Sequence, residues 1–212
     1  DNLNETNVAW RVGTEWTPRE RTLLYANISK GYKAGGFPSL GASTARQYLP
    51  ATQESVLAYE AGFKTTTSDR KLQLNGALFY YDYQDKQILG RVLDPVFNSL
   101  LQMINVPKSK VMGAELQATW VPLEGLSLTA GGSYTDSEIL DGFTNFDPNA
   151  ILTNFGGQGF PNTPKWQFVA DANYRWPISD SLGGFVGGGV THQDKTNSQL
   201  GELPSLNVKA YS

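Results

Sequence analysis

The side chains that could do acid, base, nucleophilic or metal chemistry are few and scattered. There is one histidine, His192, and no cysteine, which excludes a two-histidine metal motif, a thiolate zinc site and a disulfide framework within these residues. His192 has no obvious acid partner, and although serine is plentiful no G-x-S-x-G string occurs, so a hydrolase is not supported. Asp136, Glu138, Asp141 and Asp147 could bring oxygens to a calcium ion, but they lack the spacing of a known calcium loop and read better as solvated acids. Gly156-Gly157-Gln158-Gly159, Gly183-Gly184 and Gly187-Gly188-Gly189 lack the lysine and the strand-loop-helix setting of a phosphate loop. They read as bends and close backbone approaches. No catalytic residue, metal ligand or cofactor is expected.

What remains is binding chemistry. Tyr32, Phe37, Arg46, Tyr48, Arg91, Phe97, Phe143, Phe146, Phe155 and Phe160 lie in or beside long stretches outside the clear strand periodicity. Aromatic rings and guanidinium groups together grip ligands that are partly apolar and partly anionic. The competing reading is that these side chains pack the loops against each other.

The elements that must position them are strands. Period-two alternation recurs in segments of about ten residues. Over 7–17, Val8, Trp10, Val12, Thr14 and Trp16 oppose Ala9, Arg11, Gly13 and Glu15. Over 56–66, Leu57, Tyr59, Ala61 and Phe63 oppose Ala58, Glu60, Gly62 and Lys64. The pattern repeats over 111–121, 126–135 and 166–176, and less cleanly over 22–33, 72–83, 184–192 and 206–212. About nine strands are expected. Arg11, Glu15, Glu60, Lys64, Glu115, Asp171 and Arg175 all fall opposite the apolar face.

A soluble sandwich also alternates, so the faces and the connections must separate the two cases. Trp166 and Trp176 lie on one face about 33 Å apart along a strand, which projects to about 25 Å at a tilt near 40°, the height of an outer-membrane apolar band. Trp10, Trp16, Tyr59, Trp120 and Tyr174 add aromatics to the same outward faces and are read with Trp166 and Trp176 as membrane girdles. Short connections at 18–21, 68–71, 122–125 and 177–182 alternate with long ones at 34–55, 86–108, 136–163 and 193–204. Long loops confined to one side are the rule in outer-membrane barrels and uncommon in compact soluble domains. The mean hydropathy of −0.35 does not oppose this, because alternating strands score poorly on hydropathy. The 17 basic and 20 acidic residues give a net charge of −3, too small for a chain that neutralises nucleic-acid phosphates.

With the strands placed, LLYANISKGYKAGGF (23–37) resembles the strand that climbs into a glycine-containing extracellular loop in the barrels of TonB-dependent receptors, notably the iron-complex type. ESVLAYEAGFKTTTSDRKLQLNGALFYYDYQDKQI (54–88) resembles that family's Tyr-Glu-x-Gly-x-Lys hairpin, and NVPKSKVMGAELQATWVPLEGLSLTAGGSYTDS (105–137) its Gly-x-Glu hairpin. NTPKW (162–166) and ELPS (202–205) resemble the strand entries that follow. Pro107 departs from the small residue usual there and lacks an N–H donor, so the next strand is expected to start after it.

The resemblance implies an all-β, antiparallel up-and-down transmembrane barrel of about 22 strands closed around a plug. Residues 1–212 would be part of that one barrel domain in its C-terminal half, cut at both ends, with the plug and the TonB-binding segment upstream. It implies the outer membrane of a Gram-negative bacterium, and transport of an iron-siderophore complex or similar small molecule. The partners would be that iron-chelate ligand, the plug domain, the TonB system and outer-membrane lipid. A passive porin-like barrel and a soluble carbohydrate-binding or adhesive β-domain are the alternatives. The latter requires the outward tryptophans to be buried. The isolated segment is expected to self-associate through its unpaired edges and apolar face.

Overall fold

The computed structural model describes residues 3–37, 44–140 and 142–201. Their strands, in chain order, are β1 (Trp10–Arg19), β2 (Thr22–Lys33), β3 (Glu54–Thr66), β4 (Leu72–Asp94), β5 (Asn98–Trp120), β6 (Leu126–Ile139), β7 (Thr144–Phe146), β8 (Leu152–Asn154), β9 (Trp166–Ser179) and β10 (Leu182–Gln193). Eight of them form one antiparallel meander in the order β1-β2-β3-β4-β5-β6-β9-β10, while β7 and β8 make a small separate hairpin. The expected strand over 206–212 lies outside the described residues. Among the described residues the fold is all-β apart from a 3₁₀ turn at Ala45–Tyr48.

Register sorts the side chains onto two faces. Thr14, Ala26, Ala61, Leu78, Ala114, Tyr134 and Trp166 share one row across seven strands. Beside it on the opposite face runs the row of Glu15, Tyr25, Gly62, Ala77, Glu115, Ser133 and Gln167. Arg11, Glu60, Lys64, Asp171 and Arg175 belong to this second face too. The tryptophans are not buried in a sandwich, being 37–64% exposed on the apolar face. The row that meets Trp166 in β9 meets Thr14 in β1, four positions past Trp10. The aromatic edge therefore slides along the strands, as it must when tilted strands cross a layer of fixed height.

Close strand packing depends on glycine opposite aromatic rings. Gly62, Gly76, Gly113, Gly132 and Gly184 stand directly across from Tyr25, Phe63, Phe79, Phe168 and Trp176. In each pair a ring atom lies 2.5–2.8 Å from where a Cβ would be. The ring covers its glycine, which restores side-chain packing that glycine alone would forfeit in a strand.

Two expectations are corrected here. Residues 86–108 are not a loop, since β4 and β5 continue as a two-stranded ribbon paired from Lys86↔Val106 to Asp94↔Asn98. Nor does β5 start after Pro107, which it passes through. Pro107 stands across from Asp85 where the ladder skips a pair between Gln84↔Lys108 and Lys86↔Val106, and β6 pairs with β5 only from Ser109 onward. A residue without an N–H is tolerated at such a gap. Asp85 has a left-handed φ of 53°, and the kink turns the ribbon over. Lys86, Ile88, Ile104 and Val106 now lie on the same side as Tyr83 and Val111 of the charged face.

Candidate functional site

Among the described residues, the β2–β3 and β6–β9 connections and the stretch after β10 gather at one end of the sheet, and the ribbon is their post. At its tip the Asp94 carboxylate accepts the N–H groups of Val96 and Phe97 at 2.8 and 3.0 Å. Val96 is 81% exposed and Phe97 stands out beside it.

One side of the ribbon grips the β2–β3 connection. Gln87 Nε2 donates to the Ala34 and Thr52 carbonyls at 2.9 and 3.0 Å. Asn105 Oδ1 accepts the Thr52 N–H at 2.8 Å, while Asn105 Nδ2 donates to the Thr52 and Asp85 carbonyls. Gln47 Nε2 in the 3₁₀ turn donates to the Leu101 carbonyl at 2.9 Å.

The other side carries the chief apolar core of the described residues. Val106, Ile139, Phe143, Phe155, Phe160 and Leu200 are buried together, with Ile88, Ile104 and Val111 packed on them. Ser137 Oγ accepts the Phe160 N–H at 2.9 Å, and Ile139 exchanges backbone bonds with Gln158 and Gly157. Val111 pairs with Ser137 and Ser109 with Ile139, in register with Tyr81 and Tyr83. The β6–β9 connection therefore folds back over the charged face of the sheet. At its margin Lys86 Nζ sits 3.5 Å from buried Glu54, 4.1 Å from the Tyr83 ring centroid and 5.2 Å from that of Phe160.

The residues singled out from sequence divide accordingly. Phe143, Phe155 and Phe160 are brought together, with their rings occupied by each other and by the ribbon. Phe146 is half-buried on β7 opposite Leu152. The Arg91 guanidinium donates to Ser99 Oγ at 3.1 Å and Gln199 Oε1 at 2.7 Å, and its backbone N–H to Asn145 Oδ1. Tyr32, Phe37, Tyr48 and Phe97 are exposed, and Arg46 lies in the 3₁₀ turn. Sequence reasoning missed Glu54, Lys86, Gln87 and Asn105, whose polar types carry no loop-binding signal until the ribbon brings them into contact.

The acids weighed for calcium have other partners. Asp136 pairs with Lys165 at 2.7 Å and Glu138 with Lys110 at 2.8 Å. The hydrogen bond to Asp136 holds the Lys165 ammonium above its usual range. Asp147 Oδ1 accepts the N–H groups of Asn149 and Ile151, and Asp141 lies outside the described residues. Among the described residues no group of three metal-ligating side chains converges. His192 does have an acid neighbour, since its Nε2 is 3.4 Å from Asp194 Oδ1, and its ring stacks on Phe168 on the apolar face.

A family model described as TonB dependent receptor-like, beta-barrel matches residues 1–212. Among solved structures, the siderophore receptor PiuA from Acinetobacter baumannii matches at 23% identity and TM-score 0.64, over 89% of this chain and 26% of that one. The ferric yersiniabactin uptake receptor FyuA from Yersinia pestis matches at 19% identity and TM-score 0.65, over 88% and 26%. The FrpB iron transporter from Neisseria meningitidis matches at 17% identity and TM-score 0.58, over 92% and 28%. The chain thus spans about a quarter of the length of the structures it matches, and at these identities the likeness is one of fold.

Proposed function

Since this chain belongs to the family of TonB-dependent receptor β-barrels, outer-membrane proteins of Gram-negative bacteria, we propose that it supplies wall and mouth to a gated receptor for an iron chelate or a similarly scarce small ligand. The parent would be a barrel of about 22 strands around a plug, coupled through that plug to the TonB system. The observation that carries the reading is the two-sidedness of the loop-bearing end. The β2–β3 and β6–β9 connections are both fastened to the ribbon and the β6–β9 connection leans over the charged face, while the apolar face stays exposed.

In this proposal nine of the ten loop residues share two roles and Tyr32 has a third. Phe143, Phe155, Phe160 and Arg91 hold the shape of the mouth, with half-buried Phe146 beside them. Phe37, Tyr48 and Phe97, with Arg46, offer the ligand exposed rings and a cation. Tyr32 lies on the apolar side, two residues above Lys30 on β2, and belongs with the lipid-facing aromatics. Trp10, Trp16, Tyr59, Trp120, Trp166, Tyr174 and Trp176 form the girdles.

The test is ligand binding by the intact receptor, read by quenching of its own fluorescence across a panel of ferric chelates. Phe97→Ala combined with Tyr48→Ala should raise the Kd for the bound chelate at least about tenfold, the scale of losing two modest contact residues. An unchanged Kd would remove these residues from the site, and no binding to any chelate would remove iron complexes as the ligand class.

A further inference from the structure

We propose that the Glu5 carboxylate and the Asn105 side-chain amide clamp the neck of the β2–β3 connection from its two sides, and that both are positioning residues for the ligand because they fix the backbone that carries Phe37 and Tyr48. The positioning role rests on the reading of Phe37 and Tyr48 as ligand contacts. The clamp itself does not.

Where strands part, backbone N–H and C=O groups lose their ladder partners and need others. The neck lies just beyond β2 and β3, at the pair Gly36↔Ala51, in which each N–H donates to the other's carbonyl at 3.0 Å. Glu5 stands ahead of β1 and so at the loop-bearing end, since the other end of β1 meets the short turn into β2. Its Oε2 accepts the Gly35 N–H at 2.8 Å and its Oε1 the Gln53 N–H at 3.0 Å, so one carboxylate ties the two legs together. Asn7 Nδ2 donates to Gln53 Oε1 beside it.

Asn105 acts from the ribbon. Its Oδ1 accepts the Thr52 N–H at 2.8 Å and its Nδ2 donates to the Thr52 carbonyl at 2.9 Å, so one amide serves both backbone groups of one residue in place of a neighbouring strand. No ion pair among the described residues involves Glu5, so its charge acts on the two N–H groups, and a charged acceptor makes them stronger bonds than a neutral one. A Cβ at Gly35 would lie 2.9 Å from Glu5 Oε1 and 2.7 Å from the Ala51 carbonyl oxygen. The glycine is what lets the carboxylate reach the backbone.

The clamp sits close below the rings. Phe37 follows Gly36 directly and Tyr48 stands three residues before Ala51, and both are exposed. Gln47 Nε2 on the Leu101 carbonyl holds the upper end. A ligand that binds only the ordered loop has its apparent Kd divided by the fraction of molecules in that state. Loosening the neck lowers that fraction, and affinity falls with the rings themselves unchanged.

The experiment uses the intact receptor in neutral detergent. Hydrogen exchange of the ligand-free protein, followed in peptides covering residues 34–36 and 51–53, reads the clamp. The Kd for ferric citrate, a ferric tris-catecholate and a ferric tris-hydroxamate reads the positioning. Glu5→Gln keeps the side chain's size and replaces one acceptor oxygen with an amide nitrogen that cannot accept, while Asn105→Asp removes the donor. Each should speed exchange in those peptides about tenfold and raise the Kd of the bound chelate about five- to tenfold. In a receptor carrying Phe37→Ala and Tyr48→Ala, Glu5→Gln should raise the Kd no further, the non-additivity of residues that act through the same rings. Heat-modifiable electrophoretic migration reports that each variant is folded. Unchanged exchange in Glu5→Gln would overturn the clamp. Faster exchange with an unchanged Kd, or a loss undiminished in the receptor without the two rings, would overturn the positioning role. A parent that binds none of the three chelates, or whose Kd survives the loss of both rings, would overturn the reading of the mouth and the positioning role with it, while the exchange result still decides the clamp.

Discussion

At Gly113 a Cβ would lie 2.1 Å from the Tyr134 carbonyl oxygen and 2.5 Å from the Phe79 ring, whereas at Gly188 it would meet nothing within 4 Å. Both glycines sit in strands of the same sheet, so the comparison isolates close packing from backbone entropy. Gly113→Ala should destabilise the receptor by about 1–3 kcal/mol, and Gly188→Ala should stay within about 0.5 kcal/mol of the parent. The temperature at which the protein loses its compact electrophoretic form checks both. Single residues also mark the limit of sequence reading. Phe155 and Phe97 are both loop phenylalanines, yet one is fully buried and the other exposed at the ribbon tip. Nothing local distinguishes them, because burial is decided by partners such as Val106 and Ile139 that are distant in the chain.

Among elements, the strands with one apolar and one polar face were legible, and β2 spans Thr22–Lys33 as its alternation predicts. The ribbon of β4 and β5 was not. Its segments are apolar on both sides, with Ile88 and Ile104 facing the core and Leu89 and Met103 the other way, and Pro95 and Pro107 add loop signals. Alternation fails because the ribbon carries apolar side chains on both sides, one side packed in the core and the other bearing exposed Leu89 and Leu101. The opposite end is built from short turns whose chemistry is local. In the β3–β4 turn the Thr67 hydroxyl, then the Lys71 N–H, donate to the Asp69 carboxylate and hold its pKa below the usual range. A carboxyl depressed in the folded state stabilises at pH above its unfolded pKa, near 3.9, and the contribution disappears as pH falls through the lower folded value. Asp69→Ala should therefore lower the melting temperature slightly at neutral pH, with the difference closing in acid. A difference that persists at the acid end would assign the effect to something other than the charge.

For the molecule at large, the eight-stranded sheet of the described residues has β1 and β10 as its edge strands and exposes an apolar face. Such surfaces associate in water, so residues 1–212 purified without detergent should run as an oligomer on a sizing column, and a stable monomer would count against a lipid-facing surface. The central claim is that one face of each strand meets lipid and the other a polar lumen. Residues 1–212 contain no cysteine, and single cysteines introduced among them can be spin-labelled one at a time in bilayers, in an intact receptor whose other cysteines, where it has any, are replaced by serine. Leu78, Leu116 and Phe168 are the positions on one face, with Ala77, Gln117 and Gln167 on the other. Relaxation by lipid-soluble oxygen should be strong at the first three and weak at the second three, and relaxation by a water-soluble nickel chelate should never exceed that of oxygen at the first three. Equal oxygen accessibility at neighbouring positions, or the reverse alternation, would contradict the account.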